Sequence, residues 1–235
     1  YRAGKVFILY DAARLCDAAT EVPPDPRLVD PDHWRGQGRV TGEAPGRGAS
    51  LFLDAGAGHE WVLRPYRRGG LIARFSAWRY LWTGLERTRA FRELRLTAAL
   101  HELGLPVPRP VAAAVTRHGL TYEAALITER IPGARALADL LETRRASEAL
   151  LAEVGRTIRR FHDAGLDHVD LNARNLLVDE AQRVWLIDLD RCRLRPKGDW
   201  QAANLARLAR SLVKFGASDA TAPIRRGYED ASETS

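Results

Sequence analysis

The sequence predicts an α+β chain, with strands gathered in its first half and helices in its second. Three observations carry that expectation. Short apolar runs at Ser50–Leu53 and Trp61–Leu63 flank a glycine-rich turn, Ala55-Gly56-Ala57-Gly58, as a β-hairpin requires. Apolar residues recur at helical spacing over about 147–162 and 200–215. Between these two helices, the runs Leu176–Val178 and Val184–Ile187 bracket a polar turn at Asp179–Gln182, the pattern of a second hairpin.

The elements follow in chain order. Residues 21–48 are rich in Pro and Gly (Pro23, Pro24, Pro26, Pro31, then Gly36, Gly38, Gly42, Gly46, Gly48) and read as loops and turns. The hairpin at 50–63 comes next. From about Glu86 to Leu103 the residues Phe91, Leu94, Ala98 and Leu103 mark a helix, which Gly104 stops and Pro106, Pro108 and Pro110 keep from resuming. Ala124–Glu129 reads as a strand ended by Pro132-Gly133, where the composition places a boundary. The helix at about 147–162 buries Leu150, Leu151, Val154, Ile158 and Phe161. That at 200–215 turns Leu205, Leu208 and Leu212 inward and Arg207, Arg210 and Lys214 outward.

Composition bounds the function. The chain has 235 residues, of which 46% are hydrophobic, enough for a packed core and too many for a disordered chain. No apolar run approaches the ~20 residues of a membrane-spanning helix, and no apolar leader stands at the N-terminus. Cys16 and Cys192 lie far apart without metal-ligand spacing, which fits reduced thiols in the cytosol. The chain has no methionine, even at position 1, so its N-terminus is expected to be processed or truncated. The net charge of +6 is concentrated: the segment 61–95 holds nine arginines against only Glu86 and Glu93, which leaves it at +7. An anionic partner should meet this segment. Its arginines interleave with Trp61, Tyr66, Phe75, Trp78, Tyr80 and Trp82, as in a surface that meets anionic headgroups. These aromatics fall on several elements with no nucleic-acid motif, so nucleic acid is not expected as a partner.

The chemistry concentrates in His168-Val-Asp170-Leu-Asn172-Ala-Arg174-Asn175 and in Asp188. In a hairpin, the residue entering the first strand lies beside the one leaving the second, so Asn175 and Asp188 should be neighbours, with Asp170 one short loop upstream. Few oxygen ligands, with room left for water and substrate oxygens, suit magnesium bound together with phosphates. A further carboxylate can orient and deprotonate an attacking hydroxyl. His168 should brace the loop through hydrogen bonds. Asp190 could add to the metal site or pair with Arg191.

His-x-Asp-Leu-x-x-x-Asn resembles the catalytic loop of protein-kinase-like enzymes, and Asp188 stands where their metal-binding Asp follows a short hairpin. The resemblance implies a two-lobed protein-kinase-like fold: residues 1–131 as a β-rich nucleotide-binding lobe and 132–235 as a reduced helical catalytic lobe. It makes Asp170 the catalytic base, Asn175 and Asp188 the Mg²⁺ ligands, and ATP the phosphoryl donor. It places Gly46 and Gly48 in a turn over the ATP phosphates and Arg64 at the position of the phosphate-pairing lysine, with Glu93 as ion-pair partner. Glu129 to Ile131 would present backbone to the adenine. Leu189-Asp190 replaces the usual Phe-Gly after Asp188, and no Ala-Pro-Glu segment follows, so protein is not the expected substrate.

Longer stretches narrow the resemblance. Trp-Val-Leu-Arg-x-Tyr-Arg-Arg-Gly-Gly (61–70), Arg-Tyr-Leu-Trp-Thr-Gly (79–84), Glu-Arg-Thr-Arg-Ala-Phe-Arg-Glu (86–93), Gly-Leu-Pro-Val-Pro-Arg-Pro (104–110) and Ile-Thr-Glu-Arg-Ile-Pro-Gly (127–133) are similar to the 3-deoxy-D-manno-octulosonic acid (Kdo) kinase family. That resemblance implies phosphorylation of the Kdo 4-hydroxyl on a lipid A precursor during lipopolysaccharide core synthesis. The enzyme would work at the cytoplasmic face of the bacterial inner membrane, touching it peripherally through segment 61–95. A kinase for a lipopolysaccharide heptose or another small sugar, or a silent module that binds anionic lipid, remains open on the same residues.

Overall fold

The computed structural model describes residues 1–15, 24–44, 50–66 and 80–230. The chain forms two compact units, one of residues 1–98 with 109–130 and the other of 99–108 with 131–235. No single cut in the sequence separates them, because the segment after Ala98 belongs with the second unit and the chain returns to the first at Arg109.

The first unit holds strands β1 (Arg2–Ala3), β2 (Val6–Tyr10), the short helices α1 (Ala12–Leu15) and α2 (Pro31–Gly36), then β3 (Val40–Ala44), β4 (Ser50–Gly56), β5 (His59–Pro65) and β6 (Tyr80–Leu81). Helix α3 (Arg89–Glu102), whose last residues from Ala99 count with the second unit, and strands β7 (Pro110–His118) and β8 (Thr121–Glu129) follow. Among the described residues they form one antiparallel sheet in the order β1-β2-β7-β8-β5-β4-β3, with β6 also on β8. The β4–β5 register pairs Leu53 with Trp61 and Gly56 with His59. Ala57 and Gly58 both have positive φ (52° and 77°), the left-handed turn a tight hairpin of right-twisted strands needs.

Residues 21–48, read as loops, contain α2 and β3 instead. Proline is compatible with a helix at its first position, where its missing N–H costs nothing, and Pro31 sits there. Asp30 caps the turn by accepting from the Asp32 N–H at 3.0 Å. Strand β7 is buried on both faces: Ala112 and Ala114 join Ile8, Leu53, Leu63 and Ile127 on one side, and Ala113 and Val115 join Tyr66, Phe91, Leu94 and Leu126 on the other. Helix α3 begins at Arg89 after a 3₁₀ turn, and Leu103, expected on its apolar face, lies past its end and is exposed.

The second unit carries β9 (Arg135–Ala136), α4 (Leu137–Glu142), α5 (Glu148–Asp163), β10 (Leu166–Asp167), β11 (Leu176–Val178), β12 (Val184–Leu186), β13 (Arg193–Leu194), α6 (Trp200–Lys214) and α7 (Thr221–Asp230). Ser147 caps α5, accepting from the Leu150 N–H at 3.2 Å. Helices α5 and α7 meet backbone to backbone. A Cβ on Gly155 would lie 2.0 Å from the Ile224 carbonyl oxygen, and one on Gly227 would lie 2.0 Å from that of Ala152. Glycine on both helices is what allows so close an approach. Helix α6 buries Leu208 and Leu212, as its periodicity predicts.

Candidate functional site

The loop from His168 to Asn175 is set by its own polar side chains. Asn172 Nδ2 donates to the Asp170 carbonyl at 2.9 Å, while its Oδ1 accepts from the Arg174 N–H at 2.9 Å. Asn175 Nδ2 donates to the same Asp170 carbonyl at 3.0 Å, so the amide orientation is fixed with its oxygen on the other side. Two helix residues hold the loop from beneath. Asn204 accepts from the His168 N–H at 2.9 Å, and Ser211 Oγ accepts from the Ala173 N–H at 3.1 Å.

The hairpin delivers the next carboxylate. Leu176 pairs with Leu186 and Val178 with Val184, and the Ile187 N–H donates to the Asn175 carbonyl at 3.0 Å. Asp188 is therefore the first residue past the rung that contains Asn175. It adopts φ +61°, a region Asp tolerates better than most non-glycine residues. Ile187 is pinned on its other side too, since its carbonyl accepts from His168 Nε2 at 3.1 Å. His168 thus ties the loop that carries Asp170 to the strand end that carries Asp188. Burial pushes the imidazole below its ordinary range, against the opposing pull of the Ile187 carbonyl, Asp188 and Asp170. Asp190 lies 3.8 Å from Arg191.

Behind the loop, buried Asp167 accepts from Asn204 Nδ2 and from Arg195, each at 3.0 Å. Burial alone would raise its pKa, but these donors outweigh it and hold the carboxyl below the usual range. Asn204, Ser211 and Asp167 were missed in the sequence. The available signal was the polar pair Asn204 and Ser211 on the α6 face that also carries the buried Leu208.

In the first unit the structure brings Arg64 on β5 and Glu93 on α3 into an ion pair. Glu93 is buried, and the Tyr66 hydroxyl also donates to it. Burial raises the Tyr66 pKa well above its ordinary value, reinforced by the Glu93 charge, so the phenol remains a donor. Arg64 stacks over the Tyr66 ring at 4.9 Å. Glu129 ends β8, its N–H donating to the Arg109 carbonyl at 2.9 Å, and Ile131 opens the second unit. Gly46 and Gly48 lie outside the described residues, as do Arg67, Arg68, Arg74 and Arg79 of the basic segment.

The aromatics expected at an anionic surface need correcting where they are described. Trp61 and Tyr66 are buried in the two apolar clusters of the sheet, and Tyr80 and Trp82 pack against one of them. Strand alternation accounts for Trp61 on β5 and Tyr80 on β6, while Tyr66 and Trp82 stand just past the ends of those strands. Among the described residues, no helix is long and apolar enough to cross a membrane. Nor, among them, is any group of three or more His, Cys, Asp or Glu placed to hold a metal ion.

Residues 31–227 match the lipopolysaccharide kinase (Kdo/WaaP) family. The chain is 47% identical over 229 residues to a 3-deoxy-D-manno-octulosonic acid kinase of Stenotrophomonas maltophilia, covering 94% of this chain and 86% of that one. It is 39% identical to a protein of the same description from Vibrio parahaemolyticus, over 91% of this chain and 87% of the other. Among solved structures, the PK-1 kinase of Cydia pomonella granulovirus aligns with a TM-score of 0.45 and 14% identity, over 66% of this chain and 52% of that one.

Proposed function

The chain belongs to the lipopolysaccharide kinase (Kdo/WaaP) family, and from that premise we propose that it transfers the γ-phosphoryl group of ATP to the 4-hydroxyl of Kdo on a lipid A precursor. The observation that carries this reading is the tethering of Asn175 to Asp170, with Asp188 one residue beyond the rung that holds Asn175. In the proposed reaction the Kdo hydroxyl oxygen bonds to the γ-phosphorus. The bond from that phosphorus to the β,γ-bridging oxygen breaks, and the hydroxyl proton passes to the Asp170 carboxylate. Holding the hydroxyl in line is the main work of the loop, since phosphoryl transfer asks a protein chiefly for position and charge.

The donors present fit magnesium. The Asn175 amide oxygen and the Asp188 carboxylate are hard oxygen ligands, and such an ion usually completes its shell with water and phosphate oxygens. Bound there, it would neutralise charge developing on the transferred group. Asn175 Oδ1 is aimed by the bond its Nδ2 makes, and Asp188 by the pinning of Ile187 on both sides. In the first unit, we assign Arg64, oriented by Glu93 and Tyr66, to the α- and β-phosphates. Gly46, Gly48 and the backbone of Glu129 to Ile131 keep the nucleotide roles their positions suggest. Because the acceptor is a glycolipid, we place the enzyme peripherally at the cytoplasmic face of the inner membrane. Exposed arginines of segment 61–95, such as Arg87 and Arg92, are available to meet its anionic headgroups.

The test is transfer of labelled phosphate from ATP to Kdo-lipid A, with free Kdo and a heptose acceptor alongside. Wild type should label the Kdo acceptors, and Asp170→Asn should lower kcat by roughly 10²–10⁴. A wild type that labels no Kdo acceptor, or an Asp170→Asn enzyme as fast as wild type, would sink the assignment.

A further inference from the structure

Beside the catalytic loop, within the second unit, lies a pocket of about 250 Å³. Asp170 contributes to its lining, together with Arg174 from the loop and Arg207, Arg210 and Lys214 from α6. The spacing 207, 210, 214 sets the three α6 cations on one helix face, and Arg174 faces them from the loop. The pocket is built from two elements fastened together: the Ala173 N–H donates to Ser211 Oγ at 3.1 Å, and the Arg174 guanidinium stacks over the Phe215 ring at 5.2 Å.

Its charges are unbalanced. Elsewhere in the unit the described arginines are commonly matched with carboxylates, as Arg159 is with Asp163, Arg183 with Asp179, Arg195 with Asp167 and Arg226 with Glu148. Among the described residues none of Arg174, Arg207, Arg210 and Lys214 has an ion-pair partner. Four cations around one small pocket repel one another and focus a positive potential beside the one carboxylate present, Asp170. An arrangement of that kind is relieved by an anion, and guanidinium groups bind carboxylates and phosphates in bidentate fashion.

We propose that this pocket is the acceptor's anion seat, where Arg174, Arg207, Arg210 and Lys214 hold a carboxylate or phosphate borne close to the hydroxyl that reaches Asp170. The proposal rests on the reading of Asp170 given above, and it makes these four residues determinants of acceptor choice. An ulosonic acid carries such a carboxylate on the same ring as its 4-hydroxyl. A lipid-linked phosphate is the other source of the same chemistry. A neutral sugar offers the pocket nothing to bind.

The test is steady-state kinetics on the full chain with wild type, the double variant Arg207→Gln/Arg210→Gln, Lys214→Gln, and the charge-keeping Arg210→Lys. Each is assayed on Kdo-lipid A, on its Kdo methyl ester, and on the same glycolipid stripped of lipid phosphates. The substitutions fall on the solvent side of α6, and thermal unfolding checks that each protein is folded. The double variant should raise the acceptor KM roughly tenfold or more, as loss of charge-assisted bonds does, with the ATP KM within about twofold; Arg210→Lys, which keeps the charge but not the guanidinium fork, should raise the acceptor KM by less than the double variant. If the carboxylate is the anion, the ester should cost wild type the same factor and the double variant nothing further. If a lipid phosphate is the anion, the dephosphorylated acceptor should behave that way instead. An acceptor KM unchanged in the double variant, or losses that multiply fully between variant and both neutralised acceptors, would overturn the seat. Should wild type phosphorylate no Kdo acceptor, the proposed function falls, and the seat is judged by thermal stabilisation with free Kdo and with inorganic phosphate. Stabilisation by either that the double variant abolishes keeps the seat; equal stabilisation of both proteins, or of neither, removes it.

Discussion

Acidification from pH 7 to about pH 5 should destabilise the second unit in measurable part through one buried ring, His162. This residue is 1% exposed. Its imidazole packs edge-on against Trp200 and Tyr228, with ring centroids 5.2 and 5.4 Å away. Nδ1 shares a hydrogen bond of 2.8 Å with the Tyr228 hydroxyl, whereas Nε2 has no partner among the described residues. Charging the ring would leave a cation buried away from water, and this burial outweighs the opposing pull of Asn204, Asp163 and Asp167 and lowers its pKa from 6.5 to about 4. The unfolded chain takes up this proton below pH 6.5 and the folded chain does not, so stability is complete above 6.5 and falls as the pH drops towards about 4. At ~1.4 kcal/mol per pKa unit, the whole effect is about 3 kcal/mol, of which about 2 kcal/mol is lost by pH 5. For a chain of this size that corresponds to a fall in Tm of roughly 4–8 °C. Urea or thermal unfolding of wild type and His162→Gln at pH 7, 6 and 5, at constant ionic strength, reads the difference in slope. Buried His168 shifts in the same direction but is present in both proteins, so it cancels. The reasoning fails if His162→Gln loses stability with falling pH as steeply as wild type.

Gly155→Ala should cost about 3 kcal/mol or more, because the added methyl would sit 2.0 Å from the Ile224 carbonyl oxygen and one of two helices must move. Denaturant unfolding checks this, and a loss under about 1 kcal/mol would mean that α5 and α7 are not in backbone contact. Chelating divalent cations should abolish phosphoryl transfer, and Asp188→Asn should raise the magnesium concentration for half-maximal rate roughly tenfold or more. An unchanged magnesium requirement would remove Asp188 from the metal site.

Legibility in the sequence followed how local each signal was. Hairpin β4–β5 was readable because Leu51, Leu53, Trp61 and Leu63 alternate about a glycine turn, and α5 because Ser147 caps a long apolar stripe. Strand β7 was not read: Val111-Ala-Ala-Ala-Val115 is buried on both faces, so it shows no alternation, and alanine argues weakly for a strand. Helix α2 hid behind Pro31, since proline marks a turn and a first helical position alike. At the site, the proximity of Asn175 and Asp188 could be counted from the hairpin, because register is arithmetic. The supports could not be counted. Asn204 and Ser211 reach the loop through tertiary packing, which no spacing within the loop reveals. The pocket beside Asp170 was half legible: Arg207, Arg210 and Lys214 were visible as an outward face, but Arg174 joins them only in the fold.

The segment 99–108, lodged in sequence between two pieces of the first unit, bears on how the protein is made. The Pro106 carbonyl accepts from the Leu186 N–H at 2.9 Å. On the ribosome, Pro106 must wait for its partner while all of β7, β8 and α5 emerges. The first unit can complete its sheet at Glu129 with this stretch still unattached. A fragment starting at residue 132 would instead leave the hairpin β11–β12 without that neighbour. Attempts to express the helical unit alone should therefore carry residues 99–108 in trans or by circular permutation, and a gene rearrangement that severs them from the rest would separate parts of one core.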